Sequence, residues 1–142
     1  MNQEMIGKLK KSLTLHEGRV NFPYTDTVGK LTIGIGYNLS DRGLDDEWID
    51  NQFLKDINYF YSELKKFPWF EQLNTDRQII LIDMCFMGLK NFLKFGKMIE
   101  ALEKKDYNKA ANEMLNSRWA QQVKGRAINL ANAMRIGVYT LT

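Results

Sequence analysis

The sequence contains few of the residues on which disulfide-linked and metal-binding proteins depend. In 142 residues there is one cysteine, Cys85, and one histidine, His16. A single cysteine excludes an internal disulfide, and the two residues lack the spacing of a metal site. Cys85 lies in the apolar run IILIDMCFMG, where a buried thiol is expected. We therefore predict a protein that needs neither a metal nor another cofactor.

Long apolar segments are also missing. The lysines near the N-terminus are not followed by an apolar run, so residues 1–18 do not resemble a secretion signal or a membrane anchor. With two prolines, 44% apolar residues and 26% charged residues, the composition is that of a folded globular domain. We expect the chain to reside in a cytoplasm, without stable insertion into a membrane.

Acidic residues become scarce towards the C-terminus. Residues 1–85 carry ten basic and thirteen acidic side chains, a net charge of −3, whereas residues 86–142 carry ten and four, a net charge of +6. A basic half suits an anionic polymer, either nucleic acid or bacterial cell wall. No helix-turn-helix signature or basic arm is recognisable, which disfavours nucleic acid.

The spacing of apolar residues predicts a mostly helical chain with one β-hairpin. A first helix should end near Glu17, capped by Gly18. Residues 19–38 are β-branched and aromatic, broken by Pro23 and Gly29, which predicts short strands. A long helix follows from about residue 44 to 67, and further helices are predicted near residues 75–88, 93–105, 107–115 and 124–136.

These elements predict an α+β fold in a single domain over residues 1–142. A small N-terminal lobe, residues 14–60, would hold the hairpin, and the long helix would join it to a helical lobe. The helical lobe would comprise residues 66–142 together with the N-terminal helix. Clefts between lobes commonly hold binding sites.

Two carboxylates, those of Glu17 and Asp26, lie before and after the first predicted strand and have different surroundings. Glu17 falls at a helix end, where unpaired carbonyls disfavour an anion, so we expect a protonated acid there. Asp26 lies between Thr25 and Thr27, whose hydroxyls and amides favour a charged base. An acid paired with a base is the minimum equipment for cleaving a glycosidic bond.

The side chains of Thr32 and Asp26 can project from the same face of the hairpin only if the loop has an odd number of residues. A two-residue loop of Val28 and Gly29 would place Asp26 and Thr32 on opposite faces of the hairpin. A three-residue loop that also includes Lys30 would place Asp26 opposite Thr32 on one face. If the two side chains share a water, we predict an odd-numbered loop.

The chain resembles the phage-type lysozymes, the endolysin muramidases of glycoside hydrolase family 24. The matching active-site signature consists of Glu17, Gly18, Tyr24, Asp26, Thr27, Gly29 and the run from Thr32 to Gly36. A second matching set lies in the C-terminal half: Asn116, Ser117, Arg118, Trp119, Arg126, Ala127, Arg135 and Gly137. The resemblance covers nearly the whole chain and implies a lysozyme-like fold.

The resemblance implies hydrolysis of the β-1,4 bond between N-acetylmuramic acid and N-acetylglucosamine in peptidoglycan. Glu17 would be the general acid. Asp26, helped by Thr32, would act on the attacking water with inversion at the anomeric carbon. Inversion requires the two carboxyl groups to be about 6.5–9.5 Å apart.

Four further residues are expected to bind substrate: Tyr37, Asn38, Phe86 and Arg126. Tyr37 and Asn38 follow the TIGIG run where relatives often carry histidine and an apolar residue. Phe86, before Met87 and Gly88, is the nearest match to an aromatic residue of the family, although a core position is the alternative. Arg126 matches a family arginine by its spacing from Trp119, and it could instead hold Glu17 in place.

The resemblance also implies a biological setting. The protein would be a monomer, kept in the host cytoplasm until a phage-encoded holin pore releases it to the cell wall. The alternative is a non-catalytic peptidoglycan-binding module of the same fold. The presence of all three catalytic positions, Glu17, Asp26 and Thr32, argues against that alternative.

Overall fold

The computed structural model describes residues 1–141, which form a small sheet and ten helices. In chain order the elements are α1 (Gln3–Glu17), β1 (Val20–Thr25), β2 (Leu31–Gly34), β3 (Tyr37–Asn38), α2 (Leu39–Arg42), α3 (Asp46–Leu64), α4 (Pro68–Glu71), α5 (Thr75–Met84), α6 (Leu89–Leu93), α7 (Gly96–Glu103), α8 (Tyr107–Leu115), α9 (Arg118–Val123) and α10 (Gly125–Ile136). A single 3₁₀ turn, Cys85–Met87, follows α5. The predicted α+β, mostly helical fold is confirmed.

The chain divides into two compact units, residues 1–52 and the residues from Phe53 onwards. The division falls inside α3. The lobes expected from the sequence, residues 14–60 and residues 66–142 with the N-terminal helix, stay a prediction. Within residues 1–52, the last residue of α1 lies against the turn after β2.

The first unit is an antiparallel sheet in the order β1-β2-β3, preceded by α1. The register of β1 against β2 shifts between Val20 and Tyr24. Pro23 lies in this shifted segment, where a missing N–H removes no regular ladder bond. Among residues 1–52 the buried side chain is that of Thr32, and none of the buried apolar side chains belongs to this unit.

The second unit has a continuous apolar core. The core includes Phe70, Ile80, Leu81, Cys85, Phe92, Met114, Trp119, Leu130 and Met134. Helix α10 packs against α8 and α5, and α7 packs against α8. The burial of Cys85 is confirmed, and burial raises the pKa of its thiol to about 12. In the described part of the chain, no helix combines the length and the apolar character required to cross a membrane.

Several element boundaries differ from the prediction. The helix predicted near residues 93–105 is α7, which begins at Gly96 and ends at Glu103. Five short elements of two to six residues were not predicted: β3, α2, α4, α6 and α9. Such short elements have too few turns or strand pairs for a periodic apolar pattern to be visible. The predicted cap of α1 is confirmed, since the Gly18 N–H donates to the Thr14 carbonyl at 2.9 Å.

Candidate active site

The hairpin loop that follows Asp26 has three residues, 27–29. Strand residues Thr25 and Leu31 are paired, and the Asp26 N–H donates to the Lys30 carbonyl at 2.8 Å. The prediction of an odd loop is therefore confirmed. The predicted register is wrong, because Tyr24 rather than Asp26 lies opposite Thr32.

The Asp26 carboxylate explains this register. Its Oδ1 atom accepts hydrogen bonds from the Val28 N–H at 2.9 Å and from the Lys30 N–H at 2.8 Å. An aspartate at the start of a turn commonly accepts from amides further along the loop. The carboxylate thus closes the loop one residue earlier than expected, at Thr27 instead of Val28.

Thr32 and Asp26 both form hydrogen bonds to the backbone of Lys30. The Thr32 side chain is buried, and its hydroxyl donates to the Lys30 carbonyl at 3.1 Å. Side chains alternate along a strand, so Asp26, two residues beyond Tyr24, projects from the same face as Thr32. The structure therefore brings Asp26 and Thr32 to one face of the hairpin, where they are diagonal neighbours and not directly paired. The backbone N–H and carbonyl of Lys30 each bind one of the two side chains.

Glu17 is the last residue of α1 and lies against the connection between β2 and β3. That connection passes through Ile35 and Gly36. A Cβ atom placed on Gly36 would be 3.0 Å from both Cγ and Oε2 of Glu17. The helix end and the sheet thus meet at the Glu17 side chain.

A polar cluster fixes the hairpin to α2. The Lys30 ammonium donates to Asp41 at 2.9 Å, and the Leu31 N–H donates to the Ser40 hydroxyl at 2.8 Å. The hydrogen bond between Lys30 and Asp41 raises the pKa of Lys30 and lowers the pKa of Asp41. From the sequence, Lys30 was predicted only as a loop residue. Its position four residues after an aspartate at the start of a turn was the available signal.

Tyr37 and Asn38 lie in β3, where Asn38 pairs with Thr32. The Tyr37 hydroxyl donates to the Gly43 carbonyl, and the Arg42 guanidinium lies 4.2 Å from the centre of the tyrosine ring. The Asn38 side chain caps α2 by accepting from the Asp41 N–H at 3.0 Å. Both side chains thus have structural partners within the first unit.

Phe86 and Arg126 belong to the second unit. Phe86 is about half exposed, at 48%, and its ring lies 6.3 Å from that of Phe53 and 5.3 Å from that of Phe60. It is therefore partly exposed and packs against two neighbouring rings, and its role in substrate binding stays a prediction. The Arg126 guanidinium donates to both the carboxylate and the backbone carbonyl of Asp83, joining α10 to α5.

The second unit also has an open cavity of about 690 Å³ beside α7 and α9. Its lining includes three cations, Lys94, Lys97 and Arg118, and one carboxylate, Glu113. Trp119 and Phe95 form part of the wall and meet edge to face, with ring centres 6.3 Å apart. The cavity combines positive charge with an aromatic surface, in the part of the chain that is rich in basic residues.

A family model described as phage lysozyme matches residues 14–134, which includes both carboxylates and the helical unit. The chain belongs to the phage lysozyme family. This membership confirms the resemblance seen in the signature from Glu17 to Gly36.

Proteins similar to this chain come from Dictyostelium discoideum and from Enterobacteria phage T4. Probable T4-type lysozyme 1 and Probable T4-type lysozyme 2 of Dictyostelium discoideum are 26% and 27% identical over 94% of this chain and 96% of their own length. The pre-baseplate central spike protein Gp5 of Enterobacteria phage T4 is 32% identical over 86% of this chain but only 19% of its own length. The full-length similarity to named lysozymes identifies this family member as a lysozyme, an enzyme that hydrolyses peptidoglycan.

Proposed function

We propose that this lysozyme is a phage endolysin that cleaves the β-1,4 bond between N-acetylmuramic acid and N-acetylglucosamine. Glu17 protonates the leaving oxygen, and Asp26 with Thr32 activates the attacking water. The observation that supports pairing Asp26 with Thr32 is the backbone of Lys30, whose N–H donates to Asp26 and whose carbonyl accepts from Thr32. One residue thus contacts both side chains, which project from the same face of the hairpin.

The water that attacks the sugar is proposed to bind the second carboxylate oxygen of Asp26. Both loop amides donate to Oδ1, so Oδ2 is the oxygen on which a water can be held. The Thr32 hydroxyl hydrogen is directed to the Lys30 carbonyl, so its oxygen lone pairs can accept from the same water. A carboxylate and a hydroxyl that both accept from one water orient its lone pair towards the sugar.

Inversion gives the proposal a stereochemical test. A water between the carboxylate and the anomeric carbon attacks from the face opposite the leaving oxygen, so a β-linked substrate yields an α product. Proton NMR of the first turnovers on soluble peptidoglycan fragments should show the α anomer before mutarotation. First appearance of the β anomer would contradict the role proposed for Asp26.

The role of Glu17 is tested by replacing it with glutamine. Glu17→Gln should abolish the fall in turbidity of a cell-wall suspension while the circular dichroism spectrum stays that of the parent. The matched control is Glu4→Gln on the same helix, where the exposed carboxylate pairs with Lys8. Glu4→Gln should retain lysis. Retained lysis by Glu17→Gln would refute the assignment of the acid.

The basic half provides attraction to the wall. We propose that the cavity containing Lys94, Lys97 and Arg118 binds its anionic groups. Salt screens such contacts. Raising ionic strength should therefore slow lysis of whole walls more than hydrolysis of short neutral glycans. Equal effects on the two substrates would show that electrostatic attraction contributes nothing.

The setting proposed for this endolysin is the end of phage infection. The enzyme would remain a monomer in the host cytoplasm until a holin pore admits it to the wall. Expression in a bacterial host with and without a co-expressed holin tests this, since lysis should follow holin expression. Lysis at the same time in both cultures would contradict holin-dependent release.

A further inference from the structure

Two glycines of the TIGIG run have nearly the same backbone conformation but different surroundings. Gly34 has φ of +68° and Gly36 has φ of +64°, both in the left-handed region that favours glycine. A Cβ atom on Gly34 would meet nothing within 4 Å. A Cβ atom on Gly36 would meet the Glu17 side chain. The turn explains both glycines, but only Gly36 has a second reason to lack a side chain.

A Cβ atom on Gly36 would contact the Glu17 side chain along its whole length, from Cβ to the carboxyl group. The added atom would lie 3.1 Å from Cβ, 3.0 Å from Cγ and 3.0 Å from Oε2 of Glu17. Contact with a terminal atom alone would be relieved by a small rotation of a flexible side chain. Contact with Cβ and Cγ is not relieved in this way, because these atoms are fixed by the helix backbone and by the first side-chain torsion. The backbone at Gly36 therefore restricts the direction in which Glu17 projects.

We infer that Gly36 is a positioning residue for Glu17, in addition to its role in the turn between β2 and β3. This inference rests on the proposed function of Glu17 as the general acid. The absence of a side chain lets the Gly36 backbone lie directly against the glutamate and hold its carboxyl group in one orientation. A methyl group at position 36 would turn the carboxyl group away from that orientation.

The first test compares alanine substitutions at the two glycines. Both Gly36→Ala and Gly34→Ala impose strain on a left-handed backbone, so both should lower the melting temperature. Misplacement of a catalytic group lowers the rate of the chemical step. On soluble peptidoglycan fragments, Gly36→Ala should therefore reduce kcat at least about tenfold more than Gly34→Ala, with KM little changed. Equal losses of kcat would show that Gly36 serves the turn alone.

The second test measures the contact without using activity. The loss of melting temperature caused by Gly36→Ala should be smaller in a Glu17→Ala background, because two of the three close atoms are then absent. The loss caused by Gly34→Ala should be the same in both backgrounds. If Gly36→Ala alone fails to fold, the double variant still provides the test, because folding should be recovered when the Glu17 side chain is truncated. An unchanged loss for Gly36→Ala in the Glu17→Ala background would overturn the inference.

Failure of this inference can be told apart from failure of the proposed function. If Glu17→Gln retains wall lysis, Glu17 is not the acid, and the proposed function fails even where the thermodynamic cycle shows coupling. If Glu17→Gln abolishes lysis and the two glycine variants behave alike, the acid is assigned correctly and the positioning role of Gly36 is overturned.

Discussion

The two units of this lysozyme are stabilised in different ways. Residues 1–52 contain no buried apolar side chain, and their contacts are backbone ladders, the Asp26 loop and the cluster around Lys30 and Asp41. The second unit buries a continuous set of apolar side chains between Leu64 and Met134. Because apolar burial is the dominant favourable contribution to folding, the helical unit should supply most of the stability.

In the hairpin unit, the two side chains proposed to act on water are held by hydrogen bonds and not by an apolar core. The proposed base, Asp26, is fixed by hydrogen bonds to loop amides, and Thr32 is fixed by a bond to a loop carbonyl. Such contacts are directional and set the position of an atom closely, but each contributes only about 1 kcal/mol to stability. The hairpin unit should therefore be ordered yet open locally more often than the helical unit.

The largest expected effect comes from the same substitution made in each unit. Phe92 in α6 is fully buried, whereas Phe22 in β1 is 82% exposed. Phe92→Ala should lower the free energy of unfolding by about 3–5 kcal/mol, because it leaves a cavity in the core. Phe22→Ala should change it by less than about 0.5 kcal/mol. Urea denaturation measures both values, and similar losses for the two variants would remove the contrast between the units.

A smaller loss should follow from removing Arg77, which closes the C-terminal end of α10. Its guanidinium donates to the carbonyls of Met134 and Arg135 at 2.8 and 3.2 Å and lies 3.7 Å from the centre of the Tyr107 ring. Arg77→Met keeps the aliphatic stem but leaves these carbonyls without their donor, which should cost about 2 kcal/mol.

The control for Arg77 is Lys90→Met, which removes an exposed cation from α6. Denaturation of this variant should match the parent within about 0.5 kcal/mol. Arg77→Lys should fall between the parent and Arg77→Met, since an ammonium group lacks the planar fork that reaches two carbonyls. A loss for Lys90→Met as large as that for Arg77→Met would mean that net charge, and not the cap, explains the effect.

The same contrast explains how much could be predicted from the sequence. The helical unit follows an apolar period, so the bounds of α8 and α10 and the burial of Cys85 were predictable. The hairpin unit depends on single hydrogen bonds. The oddness of its loop was predictable from strand alternation, but its register depends on which amides the Asp26 carboxylate accepts from. The contact between Gly36 and Glu17 joins a helix end to a turn, and no local pattern encodes it.

A third comparison separates the structural and chemical roles of Asp26. Asp26→Asn keeps an Oδ1 atom that can accept from the Val28 and Lys30 amides, whereas Asp26→Ala removes that acceptor. Asp26→Ala should therefore be about 1 kcal/mol less stable than Asp26→Asn. Both variants should lose wall lysis by about 10²–10⁴-fold, because neither provides a base. Wall lysis by Asp26→Asn near the parental rate would show that Asp26 holds the loop without acting on water.

The smallest expected effect concerns the ion pair between Lys30 and Asp41, and its sign depends on pH. The pKa of Asp41 is lowered, so its contribution is present above the unfolded value, about 3.9, and is lost as pH falls through the folded value. The pKa of Lys30 is raised, so its contribution is present below about 10.4 and is lost as pH rises through the folded value. The pair should therefore protect the hairpin fully between these limits and progressively less outside them.

Hydrogen exchange at the hairpin amides can detect this contribution. Asp41→Asn should increase exchange at the Lys30 and Leu31 amides at pH 6, and the difference from the parent should shrink as pH falls through the lowered pKa of Asp41 and should also shrink in high salt. Glu4→Gln removes an exposed carboxylate that pairs with Lys8 at 3.2 Å on α1, and it should leave the hairpin amides unchanged. A difference that changes with neither pH nor salt would show that Asp41 acts through its hydrogen bond to Asn38, not through its charge.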